Sequence, residues 1–315
     1  MFDAKKFIAE KTEELKGIVK GKAIIAVSGG VDSTTAAVLT HRAIGDNLVS
    51  IMVDTGFMRK NEAKTTDDML KGMGLNFRVV DASDEYYKAL DGIIEPEQKR
   101  KIIGEKFIRI FERVARTEKC KYLVQGTIAP DWIESGGGLR DTIKSHHNVG
   151  GLPKDMDLPL VEPLRDLYKD EVRKVARVLG LSVAEKQPFP GPGLAIRIMG
   201  EATKERAEII REACFIVEEE LEKAAKEGKM ALPWQYFAVL LPVKSVGVHG
   251  DVRVYGETVV VRAVESLDGM SAAYSKMPHE VLERISVRIT NTMKSKVNRV
   301  VFDVTNKPPG TIEWE

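Results

Sequence analysis

Four short apolar runs, separated by segments with helical spacing, occupy the first half of the chain. The runs comprise residues 23–27, 48–53, 77–80 and 122–124. Buried strands that alternate with helices are typical of a parallel, doubly wound sheet. The sequence therefore predicts an α/β domain, in which ligands bind outside the carboxyl ends of the strands.

Polar or small residues follow each apolar run. They are Ser28, Asp54, Asp81 and the pair Gln125 and Gly126. We expect them to face one crevice, because the carboxyl ends of parallel strands share an edge. For Asp81 an alternative stays open, in which the strand simply ends where polarity begins.

Residues 187–193 contain three prolines and two glycines, which indicates a domain boundary. With 315 residues the chain is long enough for two domains. We predict an α/β domain over 1–188 and a smaller α+β domain over 189–315. Within the first, residues 127–159 are rich in glycine and poor in apolar periodicity, which predicts a functional lid or a disordered segment.

Charge and cysteine content exclude several classes of protein. The 48 basic residues nearly balance the 47 acidic ones, so nothing indicates a basic surface for nucleic acid. The two cysteines, Cys120 and Cys214, form neither a disulfide framework nor a zinc motif. No apolar run is long enough for a membrane span or a signal peptide. We expect a cytoplasmic protein with no nucleic acid or membrane partner.

The hexapeptide over residues 28–33 carries the strongest chemical signal. It reads Ser-Gly-Gly-Val-Asp-Ser and lies between the first apolar run and a predicted helix over about 34–44. Two glycines let the backbone turn tightly, and the free N–H groups of the next helix favour an anion. Because Asp32 would repel a phosphate, its presence implies an Mg²⁺ ion between them. A plain turn with a helix cap is the alternative reading.

This hexapeptide is neither a Walker A loop nor a dinucleotide fingerprint. It resembles the PP-loop of the ATP pyrophosphatases, which cleave ATP between its α and β phosphates. Four further segments and the end of the chain look like GMP synthase, and the resemblance spans essentially the whole sequence. They are residues 53–62, 126–135, 143–153, 189–194 and 307–315.

The resemblance implies a ligase reaction in two steps. The C2 oxygen of xanthosine monophosphate (XMP) attacks the α-phosphorus of ATP and releases pyrophosphate, and ammonia then displaces AMP to give GMP. Neither cysteine fits a glutaminase nucleophile, so the resemblance implies a separate glutaminase subunit that supplies ammonia. It also implies a homodimer formed through the second domain, near residues 247–253.

By resemblance, several residues bind ATP, with Asp32 also as the metal ligand. They are Ser28, Gly29, Gly30, Val31, Asp32, Ser33, Val53 and Gly126. A second group on the second domain binds XMP by resemblance, with Arg299 and Lys307 suited to phosphate and Glu313 to purine N–H groups. These are Gln235, Arg299, Lys307, Ile312 and Glu313.

The resemblance also selects catalytic candidates. Lys144, in the lid, is the first choice to stabilise charge on the α-phosphoryl oxygens. Asp131 and Glu134 would serve the lid, although an acidic pair at a helix start is an open alternative. Lys169 and Asp170 would hold the closed lid, although a helix start with mixed charges would look the same.

Two rival functions remain at this point. Another PP-loop enzyme, such as one that thiolates tRNA, would need a basic appendage and usually a cysteine pair, and neither is evident. A regulatory module that senses ATP without turnover is the other rival. An assay for AMP release separates it from the enzyme.

Overall fold

The computed structural model describes residues 2–134 and 158–315. The chain divides into two compact units. Unit 1 comprises Met1–Thr55, Asn61–Ala82 and Ile103–Gly191, and unit 2 comprises Gly56–Lys60, Ser83–Ile102 and Pro192–Glu315.

Unit 1 is built on a parallel sheet. The strands are β1 (Ala23–Ala26), β2 (Leu48–Asp54), β3 (Phe77–Asp81), β4 (Tyr122–Val124) and β5 (Leu160–Val161). Within the described residues they lie in the order β3-β2-β1-β4-β5, and every neighbouring pair is parallel. The predicted doubly wound α/β sheet is confirmed. Its strand order changes direction between β1 and β4, where such sheets bind their ligands.

The helices of unit 1 alternate with these strands. They are α1 (Ala4–Ile18), α2 (Val31–Ile44), α3 (Glu62–Gly72), α6 (Ala129–Glu134), α7 (Lys169–Val178) and most of α5 (Pro96–Thr117). Helix α2 is buried along much of its length, including Ala36 and Ala37, whose small side chains permit close packing. It begins at Val31, three residues earlier than the sequence predicts, so Asp32 and Ser33 form its first turn.

Unit 2 combines helices with a mainly antiparallel sheet, as predicted for the second domain. Its elements are α4 (Ser83–Ala89), α8 (Lys204–Lys226), β6 (Gln235–His249), β7 (Val252–Glu265), β8 (Ala273–Tyr274), α9 (His279–Thr292) and β9 (Val297–Phe302). Strand β7 pairs antiparallel with β6 and β8 and parallel with β9. A short 3₁₀ helix, Gly193–Arg197, opens the main segment of this unit.

Two segments that the sequence analysis assigned to the first domain group with unit 2. Residues 56–60 bind α8: the Arg211 side chain donates to the Met58 carbonyl at 3.1 Å, and Lys60 pairs with Glu212 at 2.6 Å. The segment 83–102 is held by contacts such as the Gly92 N–H, which donates to Glu201 at 3.0 Å. These ties join distant parts of the sequence, so local periodicity does not reveal them.

The two halves of the β6–β7 hairpin differ in burial. Residues near the start of β6, such as Phe237 and Leu240, are fully buried between the helices and the sheet. Towards the hairpin end, apolar side chains such as Val248 and Tyr255 are exposed. Of the helices in the described ranges, none has the length and apolar character needed to cross a membrane.

Candidate functional site

The 28–33 turn lies at the carboxyl end of β1 and closes on itself. The Ser28 N–H donates to Ser33 Oγ at 3.1 Å, and the two serine hydroxyl oxygens lie 3.0 Å apart. Gly29 adopts φ +78°, a left-handed conformation that favours glycine. Gly30 occupies the N-cap position of α2 and has no side chain to cap the first N–H groups of the helix. This geometry is suited to an anion.

Gly126, at the end of β4, lies directly against this turn. A β-carbon added at Gly126 would lie 2.8 Å from the backbone nitrogen of Ser33 and 2.9 Å from the carbonyl carbon of Asp32. Only glycine therefore fits without moving the backbone. The structure brings together two of the sequence-predicted ATP segments at the edge where the strand order changes direction.

Asp32 points one carboxylate oxygen at a lysine and leaves the other available. Its Oδ2 lies 2.5 Å from the Nζ of Lys169, the first residue of α7. Its Oδ1 is buried and, within the described part of the chain, has no hydrogen-bond partner. A carboxylate oxygen of this kind is a ligand that Mg²⁺ prefers, so the residues present fit this metal. No cluster of three or more metal-ligating side chains occurs among the described residues.

Two residues that the sequence analysis did not select support the turn. Lys186 Nζ lies 2.9 Å from Glu62 Oε1 and donates to the Gly29 carbonyl at 3.4 Å. The Glu62 side chain is 3% exposed. Glu62 falls in one of the segments that resemble the family, but nothing in the local pattern links it to Lys186.

The remaining catalytic candidates are placed differently. The Asp131 carboxylate accepts a hydrogen bond from the Ile128 N–H at 3.0 Å, which is a helix-start contact. Asp170 faces solvent and pairs with Lys174 at 3.2 Å, so it does not join Asp32 and Lys169. The Glu134 side chain and the whole of Lys144 lie outside the described residues.

The sequence-predicted XMP residues of unit 2 form one cluster around Glu313. Its Oε1 accepts from Gln235 Nε2 at 3.0 Å and from an Nη2 of Arg197 at 2.8 Å, and its Oε2 accepts from Arg197 Nε at 3.0 Å. Arg197, which the sequence analysis missed, is fully buried and stacks on Phe237 at 4.0 Å. Burial alone would lower the pKa of Arg197, but the Glu313 carboxylate outweighs it and raises the pKa further above its ordinary value.

The other members of this group make separate contacts. Lys307 Nζ donates to the Gly269 carbonyl at 2.7 Å, and Ile312 is half-buried beside Glu313. Arg299 is exposed on β9 and donates to Ser245 on β6 at 3.2 Å. The structure thus brings Gln235 to Glu313 but gives Arg299 and Lys307 different partners.

Neither thiol has the character of a nucleophile. Burial raises the pKa of Cys120 to about 11, and it also raises the pKa of Cys214, whose sulfur contacts the Ala238 carbonyl at 3.5 Å. Thiols with raised pKa values are poor nucleophiles at neutral pH. This agrees with the expectation that a glutaminase active site is not formed by these cysteines.

Comparisons with known proteins identify the family. The profile described as GMP synthase C terminal domain matches residues 219–314, and the profile described as NAD synthase matches residues 3–131. Among solved structures, an NMN synthetase from Francisella tularensis covers 61% of this chain and 78% of its own, with a TM-score of 0.47 and 14% identity.

Curated relatives match over the full length of the chain. The synthetase subunit of the glutamine-hydrolysing GMP synthase from Methanopyrus kandleri is 60% identical and covers 100% of both chains. The corresponding subunits from Thermococcus kodakarensis and Pyrococcus furiosus are 58% and 56% identical, and each covers 98% of this chain and 97% or more of its own. This chain belongs to the family of synthetase subunits of two-subunit GMP synthases, whose nucleotide-binding domain is of the PP-loop ATP pyrophosphatase type.

Proposed function

We propose that this chain is a ligase that makes GMP from XMP, ATP and ammonia. In the first step the C2 oxygen of XMP attacks the α-phosphorus of ATP, a P–O bond forms, and pyrophosphate leaves. In the second step the nitrogen of ammonia attacks C2, AMP leaves with the former C2 oxygen, and the nitrogen loses a proton. The name of the relatives supports a separate glutaminase subunit as the source of ammonia.

The geometry of the 28–33 turn is the observation that carries this proposal. Backbone N–H groups at the start of α2 and the hydroxyls of Ser28 and Ser33 would bind the β and γ phosphates of ATP. Asp32, with its available Oδ1, would hold Mg²⁺. When bound, this ion would neutralise charge on the phosphate oxygens. Val31, Val53 and the two glycines would line the same site.

We assign the adenylylation step to cations near the α-phosphate. Lys144 would stabilise the charge that builds on the α-phosphoryl oxygens. Lys169 already lies 2.5 Å from Asp32, so it is placed beside the phosphate turn. Asp131, Glu134 and Asp170 remain candidates for positioning the lid, and for Asp131 the helix-start contact is the competing role.

Glu313 would recognise the purine of XMP. A carboxylate has about four lone-pair sites. Arg197 and Gln235 occupy three of them, which leaves one site on Oε2 for an N–H of the base. Ile312 would contact the ring, and Arg299 and Lys307 would supply charge to the phosphate of XMP.

We further propose that two copies of the chain associate through the exposed half of the β6–β7 hairpin. Val246, Val248, Val252 and Tyr255 are all exposed there, and an exposed apolar surface of this kind is typical of an interface. The free thiols of Cys120 and Cys214 support a reducing, cytoplasmic location.

A product assay tests the proposed reaction. The chain is mixed with ATP, Mg²⁺, XMP and an ammonium salt, and the nucleotides are separated and counted. The proposal predicts one AMP and one pyrophosphate for each GMP. ADP and phosphate as the products would contradict it, and ATP binding without turnover would favour a sensor module.

A further inference from the structure

Three fully buried cations of unit 2 are directed at one segment, residues 303–315, which we call the tail. They are Lys99, Arg197 and Arg262, and each is 0% exposed. Buried cations are rare because they lose their hydration, so each needs compensating partners. Arg197 binds Glu313, the residue proposed to recognise the purine, and the role of Lys99 is not explained by that contact.

Lys99 is paired with the last residue of the tail, Glu315. Its Nζ lies 2.5 Å from Glu315 Oε2 and donates to the Ile198 carbonyl at 2.7 Å. The Gly200 N–H donates to the other carboxylate oxygen of Glu315 at 3.1 Å, and Arg100 donates to its main-chain oxygen at 2.5 Å. The Glu315 side chain is only 3% exposed, so both charges are buried and both are satisfied within unit 2.

Other contacts fix the tail upstream of Glu313. Lys307 exchanges two main-chain hydrogen bonds with Ala272, at 2.7 and 3.0 Å. Arg262 donates to the Thr311 carbonyl at 3.0 Å. Glu313 therefore lies between an anchored start and an anchored end, and the Lys99 pair forms the end.

Glu315 and Glu313 are two residues apart and contact neighbouring positions of the same segment. Glu313 binds Arg197, while Glu315 binds Gly200 and, through Lys99, the carbonyl of Ile198. Release of Glu315 would free the backbone next to Glu313. A carboxylate on a mobile segment binds its ligand more weakly, because only the docked fraction is competent.

We propose that Lys99 and Glu315 form a positioning pair, which holds the tail so that Glu313 is ready to bind the purine of XMP. Neither residue needs to touch the substrate. This inference rests on the proposed XMP site at Glu313.

Glu315→Gln tests this role, because it keeps the shape of the side chain and removes its charge. Two quantities are measured: hydrogen exchange of the amides of the tail, and the Kd for XMP by calorimetry. If the docked fraction falls to about one tenth, the Kd rises about tenfold. We expect faster exchange in the tail, a rise of this size in the Kd for XMP, and an unchanged KM for ATP.

Glu220→Gln is the matched control. Glu220 is also a buried glutamate of unit 2, and it accepts from Arg284 at 3.1 Å and from Arg288 at 2.9 Å without contacting the tail. It should leave the Kd for XMP and the exchange of the tail unchanged. The double variant Lys99→Met/Glu315→Gln removes both charges, so its Kd for XMP should lie closer to that of the parent than the Kd of Lys99→Met does.

Several results would overturn the proposal. Unchanged tail exchange in Glu315→Gln would show that the pair holds nothing, and a mobile tail with an unchanged Kd for XMP would show that positioning does not matter. Glu313→Gln separates the two levels: if it too leaves the Kd unchanged, the proposed XMP site is wrong. Should Glu315→Gln fail to fold, Arg100→Met removes only the bond to the main-chain oxygen, and the same two readouts decide.

Discussion

Replacement of Gly126 by alanine is the sharpest perturbation of the 28–33 turn. The added methyl group would meet the backbone of Ser33 and Asp32 at 2.8 to 2.9 Å, closer than such atoms approach in proteins. Backbone cannot rotate away as a flexible side chain does, so either β4 or the start of α2 must shift. Either shift moves the N–H groups proposed to bind phosphate.

The size of the effect follows from the cost of overpacking. Extra methylene groups in a packed site cost about 1 to 3 kcal/mol. If ATP can bind only after this strain is overcome, the KM for ATP rises about 5- to 150-fold, since about 1.4 kcal/mol corresponds to a factor of ten. The KM for XMP should stay within about twofold, because its proposed residues belong to unit 2.

The assay measures AMP release against ATP concentration, together with thermal unfolding. Gly72→Ala is the matched control, because a β-carbon there meets no atom within 4 Å. The control should keep the parent KM for ATP. If Gly126→Ala also keeps it while folding normally, the turn does not bind the phosphates and the reasoning from its geometry is refuted.

Three further outcomes are expected. Lys144→Ala should retain XMP binding by calorimetry and lose most of kcat, and an unchanged kcat would remove Lys144 from the mechanism. Lys186→Met should raise the KM for ATP by roughly one order of magnitude, the loss of a hydrogen bond between charged groups beside Gly29, with little change in kcat; an unchanged KM would contradict its support of the turn. Burial raises the pKa of Glu220, but hydrogen bonds from two arginines of α9 outweigh this and hold the pKa below its ordinary value. Its contribution to stability is therefore present above the unfolded pKa and is lost as pH falls through the lower folded pKa. Unfolding curves of Glu220→Gln should differ from the parent at pH 7 and converge with it in acid, and a constant difference would contradict this.

Local patterns in the sequence predict the sheet of unit 1 well. Buried runs such as residues 48–53 are apolar throughout, as expected for a central parallel strand covered on both faces. The strand β5, Leu160–Val161, is missed because it has only two residues and follows a glycine-rich stretch. The early start of α2 is missed because its first turn is read as part of the loop.

Long-range ion pairs lie beyond what the sequence can predict. Glu62 and Lys186 are 124 positions apart, and Lys99 and Glu315 are 216 apart. Periodicity reports which face of an element is buried, but it does not report which distant charge will meet that face. The motif at residues 28–33 could be interpreted because its function depends on neighbours in the sequence, whereas the support of the turn and of the tail does not.

The transfer of one oxygen atom tests the proposed reaction most directly. XMP labelled with ¹⁸O at C2 is incubated with the chain, ATP, Mg²⁺ and ammonium, and the products are analysed by mass spectrometry. The account predicts that the label appears in the phosphate of AMP, with none in pyrophosphate. Label in pyrophosphate or in inorganic phosphate would contradict attack of the C2 oxygen on the α-phosphorus.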